Sequence, residues 1–452
     1  MASLLDLPPE LLLQTCTDLL PPFAHGSIQH IANTPANRAL FVPLSNLSRT
    51  CPVLRQLAQQ MLYRRPLPAR CHFVNFVLTL CQRPDLAQKV QVLNLDVPWD
   101  TDPRPIIPPQ DVAIFDQALA RCERARIEFE VSLFRQSGKW PKPRVFSPTQ
   151  WVEYMPLITL SALALAQITN VVRLEVGGFG RKLCYFCCAP GSLPRLAELH
   201  VKHRDEEKKA RGNLDRMDEL LEATPALRVF AICQMGNFSV LPRHDNIVEV
   251  RLTDNNLDGP SLERIMGQFK NLQIFSYQAA QYPRFNEQQA SPWDVFRALL
   301  MRAATLRHVS ISFRSIEVEP LHRSCAMASL KDMLVLESLQ VDVNGVFVGN
   351  DFRPATLVGG LPPSVYSVRF KNMGEDFLQE ILQLAEKAPG GFPNLRDVAF
   401  DGLEEESWVT VRRAFAAVGV ETHVDTASIA DGSPAWISAI MRSTKNQAIS
   451  GV

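Results

Sequence analysis

A short apolar spacing, L-x-x-L-x-L with Ile, Val, Phe or Tyr allowed at the apolar places, occurs nine times between residues 171 and 400. The copies run from Val171/Leu174/Val176 through Leu196/Leu199/Val201 and Leu227/Phe230/Ile232 to Leu395/Val398/Phe400. They start 20 to 34 residues apart, with a mean of 28. The fullest copy, residues 247–257, extends to L-x-x-L-x-L-x-x-N-x-L with Asn255 at the polar place. A unit repeated at such a period stacks on its neighbours, because one copy cannot bury its own apolar face.

The two inner apolar positions of each copy lie two residues apart, so they share one face of a short strand. Between copies come i, i+3, i+4, i+7 patterns: Leu262, Ile265, Met266 and Phe269, then Phe296, Leu299, Leu300 and Ala303. Leu214, Met217 and Leu221 fit more loosely, as do Trp408, Val411, Phe415 and Val418. These patterns predict amphipathic helices. Strand and helix in alternation build an α/β repeat solenoid, strands on the concave side and helices on the convex side. Val90/Leu93/Leu95 reads as an earlier copy and Ile127/Phe129 as a weak one. Asn255 is expected to hydrogen-bond backbone in the turn after its strand. Residues 165–420 resemble a degenerate leucine-rich repeat horseshoe. Residues 67–164 read as a transition segment with irregular early repeats, and 421–452 as a C-terminal cap with a helix at 434–442 and a frayed tail.

Charge and composition narrow the class. Lys plus Arg number 47 and Asp plus Glu number 47, which argues against a general nucleic-acid binder. No run of about 18 apolar residues offers a membrane span. The opening MASLLDLPPELLLQ lacks a basic n-region and is not expected to be a secretory signal. The ten scattered cysteines then read as reduced thiols of a cytoplasmic or nuclear protein.

The N-terminal 66 residues follow another pattern. Asp6 is a candidate cap and Pro8 suits the first turn of a helix whose Leu12, Cys16 and Leu19 share a face. After a link over 21–42, Leu44 to Arg64 reads as two short helices broken at Pro52. Leu7 through Leu12 (L-P-P-E-L-L), then Leu44, Leu47, Ser48, Cys51, Leu54 and Leu57, then Leu62-Tyr63-Arg64 resemble the three blocks of a fungal-type F-box. The sequence departs from that family at Thr15, where Ile or Val is usual, and in the length of the link. Without the resemblance, the same helices read as a polar cap on the open end of the solenoid.

Residues that carry chemistry are sparse. Cys184, Cys187, His200 and His203 approach a zinc-finger spacing, but His200 and His203 have opposite strand parity and cannot both reach one ion. Cys187 and Cys188 read instead as small apolar core residues. Gly177 to Lys182 does not fit a phosphate-loop spacing. The mixed charge run 202–211 reads as solvated surface. No nucleophile, protease or kinase motif occurs, and Glu404-Glu405-Glu406 suits the start of the Trp408 helix. No catalytic residue, metal site or cofactor is assigned, and the chain is not expected to be an enzyme.

The outward strand positions offer a binding surface instead: Arg173, Glu175, His200, Arg251, His308 and Arg369, with Glu198, Lys202, Glu249, Asp342, Lys371, Asp397 and Asp401 beside them. Mixed charge there suits a protein target rather than a phosphate backbone. The F-box resemblance implies a substrate-recognition subunit of a Skp–cullin–F-box ubiquitin ligase. Leu7, Pro8, Leu11, Leu47 and Ser48 would contact a Skp-type adaptor, and through it a cullin. The alternative is a repeat scaffold that joins no ligase.

Overall fold

The computed structural model describes residues 7–19, 35–66, 72–95, 109–124, 157–177, 189–202, 217–234, 236, 241, 243–280, 289–313, 329–342, 356–371 and 375–424. Its centre is one open sheet of eleven strands, all parallel and ordered as in the chain. The strands are β1 (Val92–Asn94), β2 (Arg173–Gly177), β3 (Glu198–Lys202), β4 (Val229–Cys233), β5 (Glu249–Asn255), β6 (Ile274–Ala279), β7 (His308–Ser312), β8 (Ser338–Asp342), β9 (Ser367–Lys371), β10 (Asp397–Phe400) and β11 (Glu421–Val424). All nine copies of the apolar spacing become strands β2 to β10. The copy at Val90 becomes β1.

Register follows from the repeat. Leu174, Leu199, Phe230, Val250, Phe275, Val309, Leu339, Val368 and Val398 lie in one row across the sheet, each paired with the next. In most repeats the opening residue closes a tight turn onto the third residue before it. The N–H of Leu196 donates to Leu193, Leu227 to Thr224 and Leu395 to Phe392, at 3.0 to 3.2 Å. In three repeats an Asn just before that residue reaches back across the stack. Asn170 donates its amide to the Gln88 carbonyl at 2.8 Å, Asn246 to Pro225 at 2.7 Å and Asn271 to Asp245 at 2.9 Å. These side chains satisfy turn carbonyls that the strand ladder does not reach.

Parallel neighbours need crossovers, and helices supply several of them on one face. They are α6 (Pro109–Arg124), α7 (Leu157–Gln167), α8 (Met217–Glu222), α9 (Gly259–Gln268), α10 (Pro292–Leu300), α11 (Thr356–Gly360), α12 (Leu378–Gly391) and α13 (Glu405–Ala417), while α4 (Phe73–Gln82) and α5 (Pro84–Ala87) precede β1. Leu262, Ile265 and Met266 of α9, Phe296 and Leu299 of α10, and Val411 and Phe415 of α13 join the strand rows in one continuous core. Asp258 caps α9 by accepting the Ser261 N–H at 2.8 Å, and Ser291 with Asp294 forms a capping box on α10. Gly259 permits the close approach of these two helices, since a Cβ there would stand 2.9 Å from the Asp294 carboxyl carbon.

Before the sheet lie α1 (Pro9–Asp18), α2 (Pro35–Leu47) and α3 (Pro52–Arg64). They share a small core of their own, Cys16, Leu44, Ala58 and Met61. The end of α3 is tied to the sheet edge. The Gln91 N–H donates to the Arg64 carbonyl at 3.0 Å, and Arg64 Nε donates to Gln91 Oε1 at 2.6 Å. The Tyr63 ring stacks on Phe76 with centroids 6.1 Å apart.

Several expectations shift. Pro9, not Pro8, opens α1, and Pro8 is its cap without a side-chain hydrogen bond. The stretch read as a link over 21–42 turns helical from Pro35, with Pro43 held inside α2. The pattern reading ended one strand early, because β11 is an edge strand of polar residues whose only apolar side chain, Val424, is exposed. Asp6, the weak copy at Ile127/Phe129, the cysteines 184, 187 and 188, His203, residues 178–182 and 203–211, and the helix expected at 434–442 lie outside the described residues. Among the described residues no helix is long and apolar enough to cross a membrane.

Candidate functional site

The strand rows that face away from the helices carry clusters of charged and polar groups. On β2 to β5 these are Arg173 and Glu175, Glu198, His200 and Lys202, and Glu249 and Arg251. Neighbouring strands stand about 4.8 Å apart, so side chains in one row touch across the sheet. Arg173 Nη1 and His200 Nε2 both approach Glu198 Oε2, at 3.5 and 3.6 Å. Arg251 Nε donates to Glu249 Oε1 at 2.6 Å. Burial pushes the His200 imidazole down to about 4, against the pull of Glu198, and the cations of Arg173 and Arg251 add to the fall. His200 is therefore neutral at pH 7 and lies beside Glu198, whose carboxyl it helps to hold below its ordinary range. Burial likewise lowers His308.

At the far end, Ser367 Oγ donates to Asp397 Oδ2 at 2.8 Å, and Arg369 Nη2 lies 3.9 Å from the same oxygen. His423 Nε2 sits 3.2 Å from Asp397 Oδ1. Asp342 is fully buried, with Ser312 Oγ 3.3 Å from its Oδ2.

Exposure divides this face. Arg173, Glu175, Glu249, His308, Asp342 and Lys371 are buried. His200, Lys202, Arg251, Arg369, Asp397 and Asp401 are half-buried, and the Glu198 side chain is 37% exposed. All three outward positions keep solvent contact on β3 and on β4, whereas those of β2, β7 and β8 are buried. The expected strip of six therefore splits into buried framework (Arg173, Glu175, His308) and accessible groups (His200, Arg251, Arg369). A list built on charge passed over Val229, Ala231 and Cys233, the outward residues of β4. Strand parity alone marks them.

The N-terminal helices supply a second candidate surface. Leu7, Leu11, Leu13, Leu19, Val42 and Val53 are six of the thirteen exposed large apolar side chains among the described residues, a concentration far above the share of chain they occupy. Leu11 is 52% and Leu7 38% exposed. Pro8 is exposed, and its carbonyl accepts the N–H groups of Leu11 and Leu12 at 3.0 and 3.1 Å. Leu47 and Ser48 differ. Leu47 is half-buried against the small core, and Ser48 Oγ donates to the Ser45 carbonyl at 2.7 Å.

Among the described residues no group of three or more His, Cys, Asp or Glu is placed to hold a metal ion. Among the described residues Cys16, Cys51, Cys81 and Cys233 are in no disulfide, and burial pushes the Cys16 thiol up. A scan against protein-family models finds no match to this chain, and a search of curated proteins finds none either.

Proposed function

We propose that the chain is the substrate-recognition subunit of a Skp–cullin–F-box ubiquitin ligase, with α1 to α3 as the F-box and the parallel sheet as a leucine-rich repeat horseshoe. The observation that carries this reading is the concentration of exposed apolar side chains on a three-helix unit with its own core. Solvent-facing leucines clustered this way mark a docking surface. Leu7, Pro8 and Leu11 would enter the Skp-type adaptor, with Leu47 and Ser48 contacting it from the end of α2. The outward sheet face would hold a protein target. Such a subunit is not itself an enzyme. It raises the local concentration of a target lysine near the conjugating enzyme, which is catalysis by proximity. It needs no cofactor and would act in the cytoplasm or nucleus.

The test is co-expression of the full chain with a Skp-type adaptor, beside a Leu7→Ala/Leu11→Ala variant. The reading expects a stable one-to-one complex that the variant loses while its thermal midpoint holds. A second reading rests on the bonds between Arg64 and Gln91 and the Tyr63–Phe76 stack. On that reading the helices only shield the edge of the sheet, and the chain is a binding scaffold outside any ligase. Well-folded wild-type chain that forms no adaptor complex would establish it.

A further inference from the structure

The outward face of β4 is a slot. Its floor is Val229, Ala231 and Cys233, all small and all in contact with solvent. Register places Glu198, His200 and Lys202 of β3 along one side and Glu249, Arg251 and Thr253 of β5 along the other. The walls stand two strand spacings apart, roughly 10 Å, which admits one extended chain laid along the strand direction. At the strand start the carboxylates of Glu198 and Glu249 flank Val229. The Glu198 side chain is open to solvent, and its carboxylate lies 3.5 and 3.6 Å from Arg173 and the neutral His200. Arg251 is already held by Glu249. Arg228, one residue before β4, has the opposite strand parity and lies at the rim.

We infer that this slot binds an extended peptide segment of the target that carries a basic residue two positions from an aliphatic one. Side chains of an extended chain alternate, so residues i and i+2 face the floor together. The aliphatic side chain rests on Ala231, where a longer outward residue would fill the space. The basic side chain lies over Val229 against the open carboxylate of Glu198, which replaces part of the water it loses. The buried outward residues of β7 and β8 have no comparable room for a partner. The inference rests on the reading of this sheet face as the target-holding surface.

Cys233 gives the slot its own reporter, since it is a half-buried thiol in the floor that is in no disulfide, while Cys51 is another such thiol on the N-terminal helices. The experiment follows alkylation of the full chain by iodoacetamide, with each cysteine read by mass spectrometry. Three capped peptides are added: Gly-Ser-Arg-Ser-Val-Ser-Gly, the same with Glu for Arg, and the same with Ser for Val. The first should slow Cys233 alkylation by about tenfold at ten times its Kd and leave Cys51 unchanged. The other two should protect at least about tenfold more weakly at equal concentration, and Ala231→Arg should abolish protection by the first. Equal protection by all three peptides, no protection of Cys233, or equal slowing at Cys51 would overturn the inference. The Ala231→Arg chain should still form the adaptor complex of wild type. An intact complex without peptide protection therefore sinks the slot and leaves the ligase reading standing, and absence of the complex does the reverse.

Discussion

Asn255 donates its side-chain amide to the main-chain carbonyl of Ile232, one strand back, at 3.0 Å and with no exposure to solvent. It is the one residue that completes the full repeat pattern, and it acts between repeats. Its own carbonyl accepts the Ala280 N–H of the next repeat at 3.1 Å. Asn255→Ala leaves the Ile232 carbonyl without this partner and should cost about 1–3 kcal/mol. Asn255→Asp keeps the shape but sets an oxygen against an oxygen, and should cost more. Urea unfolding with a common slope measures both. Equal midpoints for wild type and the two variants would remove Asn255 from the framework.

Acid should loosen the polar cluster on β2 to β5. In the unfolded chain His200 titrates near 6.5, while in the folded chain it is pushed down to about 4. Between those values the unfolded state takes up a proton that the folded state refuses, so stability present above pH 6.5 is lost as the pH falls toward 4. The lowered His308 acts in the same direction. Glu198, held below its ordinary range, adds stability that is present above that range and is lost on further acidification. For His200 the loss is at most on the order of 3 kcal/mol. A thermal midpoint that falls from pH 6.5 to 4, with a shallower fall in His200→Gln, is the expected outcome. Parallel profiles for the two proteins would show that His200 does not drive it.

The repeat was legible because each copy spends its apolar residues at fixed places. Leu174, Leu199 and Phe230 could be aligned by eye, and they pair in one row. The strand β11 was not legible, because an edge strand needs no second apolar row and Glu421, Thr422 and His423 join the sheet through the backbone ladder, with polar contacts from His423 in place of apolar packing. The reach of Asn170, Asn246 and Asn271 to the preceding turn was also missed, since an Asn beside a turn reads as a local turn former and the partner lies a whole repeat away. Outward strand positions could be listed from parity, but their burial could not. Arg173 and Glu198 occupy the same row, and one is buried while the other is open.

The end of the stack should fail locally. Phe400 packs between Phe370 and Phe415, with both ring centroids 5.8 Å away, and meets Trp408 edge-on at 6.3 Å. Phe400→Ala should cost about 3–5 kcal/mol. Repeats touch only their neighbours, so the loss should be confined to the last units. Hydrogen exchange should show lost protection in β9 to β11 and unchanged protection in β2 to β4. Uniform loss along the chain would mean that the sheet unfolds as one cooperative body.

Leu11 and Leu47 separate docking from folding within the N-terminal helices. Leu11 is 52% exposed, so Leu11→Ala removes little packing and should move stability by no more than about 0.5 kcal/mol. It should nevertheless weaken the adaptor complex, because burying a leucine at an interface is worth about 1.5–3 kcal/mol. Leu47 packs against the cluster of Cys16, Leu44, Ala58 and Met61, so Leu47→Ala should lower stability as well as affinity. Thermal unfolding and titration with the adaptor, run on both variants of the full chain, check the contrast. A Leu11→Ala chain that unfolds early and a Leu47→Ala chain that does not would reverse these roles, placing the docking leucine on α2 rather than α1.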